Sequence, residues 1–510
     1  APSLRAPPQI LAANQRNQTG LWGQAISGDL PIVLLQISSA GNIELVRQLV
    51  QAHAYWRQKG LVVDLVIWNE DQASYRQNLQ DLILGLATSG SEAHLLDRPG
   101  GIFVRPVQQL SSEDRILMQA VAHLVLNDRH GRLSEQIRHR KAGPALPVFD
   151  ARLLRKPARS STRPEPDPSL LLSNPYGGFS ADGNEYVIHL TPGQPTPAPW
   201  VNVIANPHFG TVISESGSAY TWHENAHEFR LTPWCNDPVT DASEEAIYLR
   251  DEDSGHYWSA TALPCPGNAR YLTRHGFGYS LFEHDEDGIR TELRVYVALE
   301  APIKFSQLLV RNTSNRPRRL SITGYVAWVL GELRSQSSMH IVTDADPDTG
   351  ALFARNAYSI EFPGRVVFFD VDMPLMSSTA DRSEFIGRNG NLKAPAAMAQ
   401  EQLSGRRGTG LDPCAALRVG IELAPGASHE VTFRLGAEQS AKSASRLVQR
   451  MRGNATAAVE LEIVRTHWRS TLAAVQIETP EPALDVMVNG WLMYQVIASR
   501  FWARSGYYQS

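Results

Sequence analysis

Hydrophobic positions follow three regimes along the chain. From residue 21 to about 140, short apolar runs alternate with stretches that repeat their apolar residues at helical spacing. Leu30-Pro-Ile-Val-Leu-Leu-Gln-Ile37 and Leu61-Val-Val-Asp-Leu-Val-Ile67 read as strands covered on both faces, and Gly101-Ile-Phe-Val-Arg105 as a third. Between the first two, 42–59 places Ile43, Val46, Leu49, Val50 and Ala54 on one helical face, with Asn42 as N-cap and Gly60 as the stop. Segments 75–87 and 112–127 read as two further helices. The pattern predicts a small α/β domain over 1–140.

Residues 141–173 lose all periodicity. Six prolines (144, 147, 157, 164, 166 and 168) stand among Arg152, Arg155, Lys156, Arg159 and Arg163, the composition of an extended, solvated linker. Over 174–436 short β-branched and aromatic runs recur, such as Glu185-Tyr-Val-Ile-His-Leu190, Leu293-Arg-Val-Tyr-Val297 and Arg365-Val-Val-Phe-Phe369. Asp182-Gly183, Asp287-Gly288 and Asn389-Gly390 supply turn signals. So many strands predict a large antiparallel β-sandwich, since one flat sheet would leave its faces bare. Residues 437–480 turn helical. After Pro480 and Pro482, a strongly apolar helix runs from 483 to 508 through Leu484, Trp491, Leu492, Tyr494, Phe501 and Trp502, and a helix apolar on most sides expects burial among other helices. The fold class is therefore multi-domain α+β.

Composition narrows the function. The chain has 510 residues, 43% of them hydrophobic and 20% charged, enough to bury several cores. Lys plus Arg is 48 and Asp plus Glu 52, a net charge of −4 that gives no electrostatic footprint for a nucleic-acid binder. No apolar run approaches the roughly 20 residues of a membrane span, so this stretch is expected to be soluble. Three cysteines, Cys235, Cys265 and Cys414, are too few and too scattered for a disulfide framework or a paired zinc site. The chain opens on Ala1 without a signal-like pattern, which suggests an internal cut in something larger.

Four motifs carry possible chemistry. His223-Glu-Asn-Ala-His227 spells H-E-x-x-H, where two histidines one helical turn apart bind zinc, and a zinc hydrolase on His223 and His227 is one alternative; yet the flanking Ser216-Gly-Ser-Ala-Tyr-Thr-Trp222, Pro233 and Pro238 do not read as helix. Asp344-Ala-Asp-Pro-Asp-Thr-Gly350 imitates a calcium loop, but its glycine falls one place late and Arg355 stands where a bidentate Glu belongs. Gly405-Arg-Arg-Gly-Thr-Gly410 is followed by Leu411-Asp-Pro413, not by a phosphate-binding helix, and Glu283-His-Asp-Glu-Asp-Gly288 reads as a solvated hairpin turn. The most unusual stretch is 206–237, where two tryptophans and a tyrosine lie among Asn, Asp, Glu and Arg. Sugars present apolar CH faces and a rim of hydroxyls, so aromatic platforms beside such side chains suit them; the same aromatics would equally close a sandwich core.

That stretch also carries a resemblance. Asn206-Pro-His-Phe-Gly, Ser214-Glu-Ser-Gly-Ser, Tyr220-Thr-Trp, Glu224-Asn225, Leu231-Thr-Pro-Trp, Asn236-Asp-Pro238 and Tyr248-Leu-Arg-Asp-Glu-Asp253 resemble the sandwich domain of bacterial cyclic β-1,2-glucan synthases, which belongs with the glycoside phosphorylases of glycoside hydrolase family 94. Thr196-Pro-Ala-Pro-Trp-Val-Asn202, Arg274-His-Gly276 and Gly410-Leu-Asp-Pro-Cys-Ala-Ala416 are similar to the same family, as are Ile26-Ser-Gly-Asp-Leu-Pro-Ile-Val33 and Gln51-Ala-His-Ala-Tyr-Trp56 upstream.

The resemblance implies a supersandwich over 174–436, a helical linker over 437–480, and in 481–510 the first helix of an incomplete (α/α)₆ barrel. In such enzymes inorganic phosphate, a co-substrate and not a cofactor, attacks the anomeric carbon with inversion while one Asp protonates the leaving oxygen. This sequence stops before the segment that bears that Asp, so no catalytic residue and no metal ligand is assigned. Substrate-facing roles fall to Trp222, Glu224, Asn225, Arg230, Trp234, Asn236 and Asp237. The implied partners are β-1,2-glucan or a related oligosaccharide, the missing barrel and a second copy in a homodimer. The implied location is the cytoplasmic side of the inner membrane, within a larger membrane protein. A stand-alone carbohydrate-binding or scaffold protein is the other alternative.

Overall fold

In the computed structural model, which describes residues 4–71, 78–89, 93–138 and 167–504, the first apolar runs pair as a four-stranded parallel sheet. Its spatial order is Ile102–Pro106, Asp64–Asn69, Ile32–Ile37, Leu124–Asn127. Val33, Leu35 and Ile37 face helices Ile43–Gln58 and Asn78–Thr88, while Ile32 and Leu34 face helix Ser112–Val121 on the other side. Two covered faces explain why these strands read as unbroken apolar runs. Asn42 occupies the N-cap position, but its side chain makes no cap bond; the amide donates to Asp128 at 3.1 Å.

The stretch 112–127 is not one helix. It ends at Val121, Ala122 turns extended (φ −63°, ψ 128°), and Leu124–Asn127 pairs with the first strand. Leu124, Val125 and Leu126 fit a helical face or a strand equally well, and the free sheet edge decides between them. Of the predicted linker and of helix 75–87, residues 141–166 and 75–77 lie outside the described residues.

Most of the chain from Leu171 to Glu438 is antiparallel sheet. An eleven-stranded sheet has Ile341–Ala345 at one edge and Leu171–Asn174 at the other. A five-stranded sheet centred on Arg318–Ala327 and a three-stranded sheet of Val201–Ala205, Phe209–Ser214 and Ala219–His223 pack against it. Their inner faces share one core: Leu293, Leu308 and Phe433 from the large sheet meet Ile322 and Val419 from the five-stranded sheet and Phe209 from the small one. Asp287 and Gly288 both take positive φ (50° and 74°), the requirement of the tight hairpin that joins Tyr279–Glu286 to Ile289–Val297. Asn389-Gly390, by contrast, follows the short helix Arg382–Ile386 and connects no strands.

The α/β unit is seated on the large sheet's edge: Arg5 donates to the Met339 carbonyl at 2.8 Å and the Tyr358 hydroxyl to the Gly28 carbonyl at 3.1 Å. After the sandwich, helix Ala441–Met451 begins with a reciprocal Ser440–Ser443 capping box, and Asn454–Leu472 follows. A last helical segment runs from Pro482 through two wide π turns to Trp502. It buries only one side. Trp491, Tyr494 and Ala498 pack on Trp468 and Phe277, whereas Leu484, Leu492, Met493, Val496 and Phe501 stay 44–68% exposed. Among the described residues no helix is long and apolar enough to cross a membrane.

Candidate carbohydrate site at the sandwich–helix junction

The unusual stretch 206–237 forms two strands of the small sheet and the turn beyond them. Phe209–Ser214 pairs antiparallel with Ala219–His223, so Tyr220 and Trp222 fall on one face. On that face they join Ala205 and Ala226, and Trp502 and Ala503 of the last helical segment close the cluster. Trp234, half-buried, stacks on Tyr220 with ring centroids 5.3 Å apart, and the Arg230 guanidinium lies 5.5 Å over Trp234 and 5.9 Å over Tyr220.

The predicted substrate-facing residues divide into core and surface. Trp222 is 2% exposed and its indole lies against the bare α-carbon of Gly210, where an added Cβ would sit 2.3 Å from the ring; it is a core residue, with no face open to a sugar. Arg230 is 5% exposed. It donates to the Ala226 carbonyl at 3.1 Å, and burial lowers its pKa. Glu224 is exposed at a left-handed turn (φ 61°) and forms a bidentate pair with Arg365 at 2.9 Å. Asn225 is exposed and accepts from the His227 and Glu228 backbone amides, ordering that turn. Asn236 is exposed with φ 46°. Asp237 accepts from the Thr240 hydroxyl at 2.6 Å and the Val239 amide at 3.0 Å, and these bonds hold its carboxyl below the ordinary range. Trp234, Asn236, Asp237, Glu224 and Asn225 are thus the members with surface to offer.

The zinc reading does not survive the backbone. His223 ends a strand and His227 lies in a turn, so the two do not share a helical face. His227 has Glu228 2.8 Å from Nδ1 and Glu332 3.4 Å from Nε2, a group that omits His223. Burial keeps His223 neutral, with its pKa lowered to about 4. The other motifs settle as turns: Asp346 caps the 346–350 turn by accepting from Thr349, and Gly408 pairs with Thr343 across a loop.

Three contributors escaped the sequence reading. Glu215, 2% exposed, accepts from the Thr196 hydroxyl and from the Trp200 amide at 2.7 Å, and burial raises its pKa to about 7. Arg365 lies 141 residues from Glu224, so no local spacing marks it. Asn202 accepts from the Tyr494 hydroxyl at 2.8 Å, tying the small sheet to the last helix.

The sandwich and the helical segment packed on it match one family along most of their length. Residues 184–454, more than half of the chain, match the family described as Glycosyl hydrolase 94, supersandwich domain, and residues 467–510 match the Glycosyl hydrolase 94 superfamily, catalytic domain. The chain belongs to glycosyl hydrolase family 94. It is similar to the cyclic beta-(1,2)-glucan synthase NdvB of Rhizobium meliloti (strain 1021), 34% identical over 99% of this chain and 18% of that protein. It is also similar to the N,N'-diacetylchitobiose phosphorylase of Vibrio proteolyticus, 27% identical over 64% of this chain and 41% of that protein. The chain therefore spans less than half the length of either relative. A bacterial glucoamylase complexed with acarbose superposes with a TM-score of 0.32 at 7% identity over 56% of this chain and 40% of that one, a likeness too slight to carry an argument.

Proposed function

We propose that this chain is the sandwich and barrel-opening part of a cyclic β-1,2-glucan synthase, and that it holds β-glucan beside an inverting, phosphate-using barrel. The observation that carries the reading is the junction itself. Tyr220, Trp222 and Trp234 of the sandwich pack on Trp502 and Ala503, inside the segment that matches the family's catalytic domain. The exposed apolar row Leu484, Leu492, Met493, Val496 and Phe501 then belongs to the first helix of an (α/α)₆ barrel, whose later helices would cover it.

On this reading inorganic phosphate is a co-substrate, no cofactor or metal is required, and the chemistry belongs to barrel residues that follow. Sandwich-side recognition falls to Trp234, Glu224, Asn225, Asn236 and Asp237, with Arg230 holding Trp234 in place. A homodimer and a position on the cytoplasmic side of the inner membrane complete the proposal. Calorimetric titration of the chain with linear β-1,2-gluco-oligosaccharides tests it: saturable binding that Trp234→Ala weakens is expected, and identical isotherms for the two proteins would remove Trp234 from the site.

A further inference from the structure

Away from that junction, helix Asn454–Leu472 and the sandwich leave a cleft of about 790 Å³ between them. The volume lies within the range of ligand pockets, which favour the seams between structural units. One wall is the turn 181–185 with Tyr279. The other is a helix face on which Glu462, Arg465 and Arg469 recur at three- and four-residue spacing. The floor is 485–490. We propose that this cleft is a second oligosaccharide-binding site that takes a run of neutral glucosyl units; the inference rests on the carbohydrate reading above.

The polar groups are set before any ligand arrives. The Tyr279 hydroxyl donates to Glu185 at 2.5 Å, Arg274 reaches the same carboxylate at 3.4 Å, and the Arg465 guanidinium lies 4.7 Å over the Tyr279 ring. Asp182 accepts from the Ser180 hydroxyl at 2.6 Å and the Asn184 side-chain amide at 2.8 Å. The floor is equally fixed: the Asn489 side chain accepts from the Ile477 amide at 2.7 Å and donates to its carbonyl at 2.8 Å. Phe277, Leu472 and Val486 place apolar patches between these groups, as the alternation of CH faces and hydroxyls along a sugar chain requires.

Charge selects the ligand class. Four lining carboxylates (Asp182, Glu185, Glu462 and Asp485) outnumber the two guanidiniums of Arg465 and Arg469, so phosphate esters and nucleic acid are repelled. Arg465, Arg469, Asn184 and Gln476 nevertheless add donors to these acceptors. Hydroxyls use both at once, whereas the ammonium and guanidinium groups of a cationic peptide would use only the acceptors.

The test is a titration with linear β-1,2-gluco-oligosaccharides of graded length, followed by hydrogen exchange on the complex. Protection over 181–185 and 462–476 is expected. Arg469→Ala and Glu462→Ala, both at exposed positions, should each weaken binding of the longer oligosaccharides about fivefold without changing thermal stability, and Trp234→Ala should leave the cleft protection in place. Binding whose protection is confined to 220–237, unmoved by either cleft variant, overturns the cleft assignment and spares the carbohydrate reading. No saturable binding by the unaltered chain removes both. Displacement of the oligosaccharide by a lysine-rich peptide overturns the ligand class.

Discussion

The two tryptophans of the 206–237 stretch have opposite fates, and mutation should separate them. Trp222 fills the sandwich side of the junction, so Trp222→Ala should cost about 3–5 kcal/mol of stability by denaturant unfolding. Trp234 is half-buried on Tyr220, and Trp234→Ala should weaken oligosaccharide affinity by about 1–3 kcal/mol in titration while the chain stays folded. Residue type alone could not assign these roles, because an indole serves a core and a sugar platform equally well; burial is set by the Gly210 contact and the returning helix. Glu224 and Asn225 stood out in the sequence as polar residues beside aromatic ones, whereas their exposure and the Glu224–Arg365 pair are products of the fold. Glu215 supplies a pH signature. Its folded pKa of about 7 exceeds the ordinary 4.5, so between those values the folded chain binds more protons than the unfolded one and stability falls as pH rises. His275, lowered to about 4 by burial, acts oppositely and favours the folded state as pH rises from 4 to 6.5. Glu215→Gln should therefore leave a stability that climbs more steeply from pH 4.5 to 7 than that of the unaltered chain, read as denaturation midpoints; parallel curves would remove Glu215 as the source.

Among the elements, the last helical segment is where local pattern and tertiary contact part. Its apolar residues predicted a helix buried on most sides, and the structure buries one side only, through Tyr494 and Trp491. The Tyr494 hydroxyl donates to Asn202 and accepts from the Gly278 amide at 3.1 Å, while the Trp491 indole donates to the Gly183 carbonyl at 2.8 Å. Tyr494→Phe leaves Asn202 and Gly278 short of a partner and should cost about 1–3 kcal/mol, seen as faster amide exchange across 482–504. Unchanged exchange there would mean that the apolar contacts alone hold the segment. The strands of the sandwich were legible because alternation and turn residues such as Asp287-Gly288 are local signals. The short strand Leu124–Asn127 was not, since its pairing with Ile32–Ile37 is decided by a neighbour some 90 positions away. The H-E-x-x-H spelling failed for a related reason: its spacing has metal-binding meaning only on a helix, and His223 is the last residue of a strand.

For the whole molecule, family membership was legible because so many short motifs recur in order, in strands such as Ala219–His223 and Tyr271–Gly276 as well as in the turns between them. How the units meet was not. The seat of the α/β unit on Met339 and Tyr358, and of the last helix on the small sheet, joins residues hundreds of positions apart. On the proposed function this sandwich serves a phosphate-using β-glucan enzyme. The most direct measurement captures the native polypeptide with an antibody against the sandwich and follows linear β-1,2-gluco-oligosaccharides incubated with it, with and without inorganic phosphate. Release of glucose 1-phosphate is expected only when phosphate is present. Oligosaccharides bound but left intact under both conditions, by a native polypeptide no larger than this chain, would overturn the proposed function.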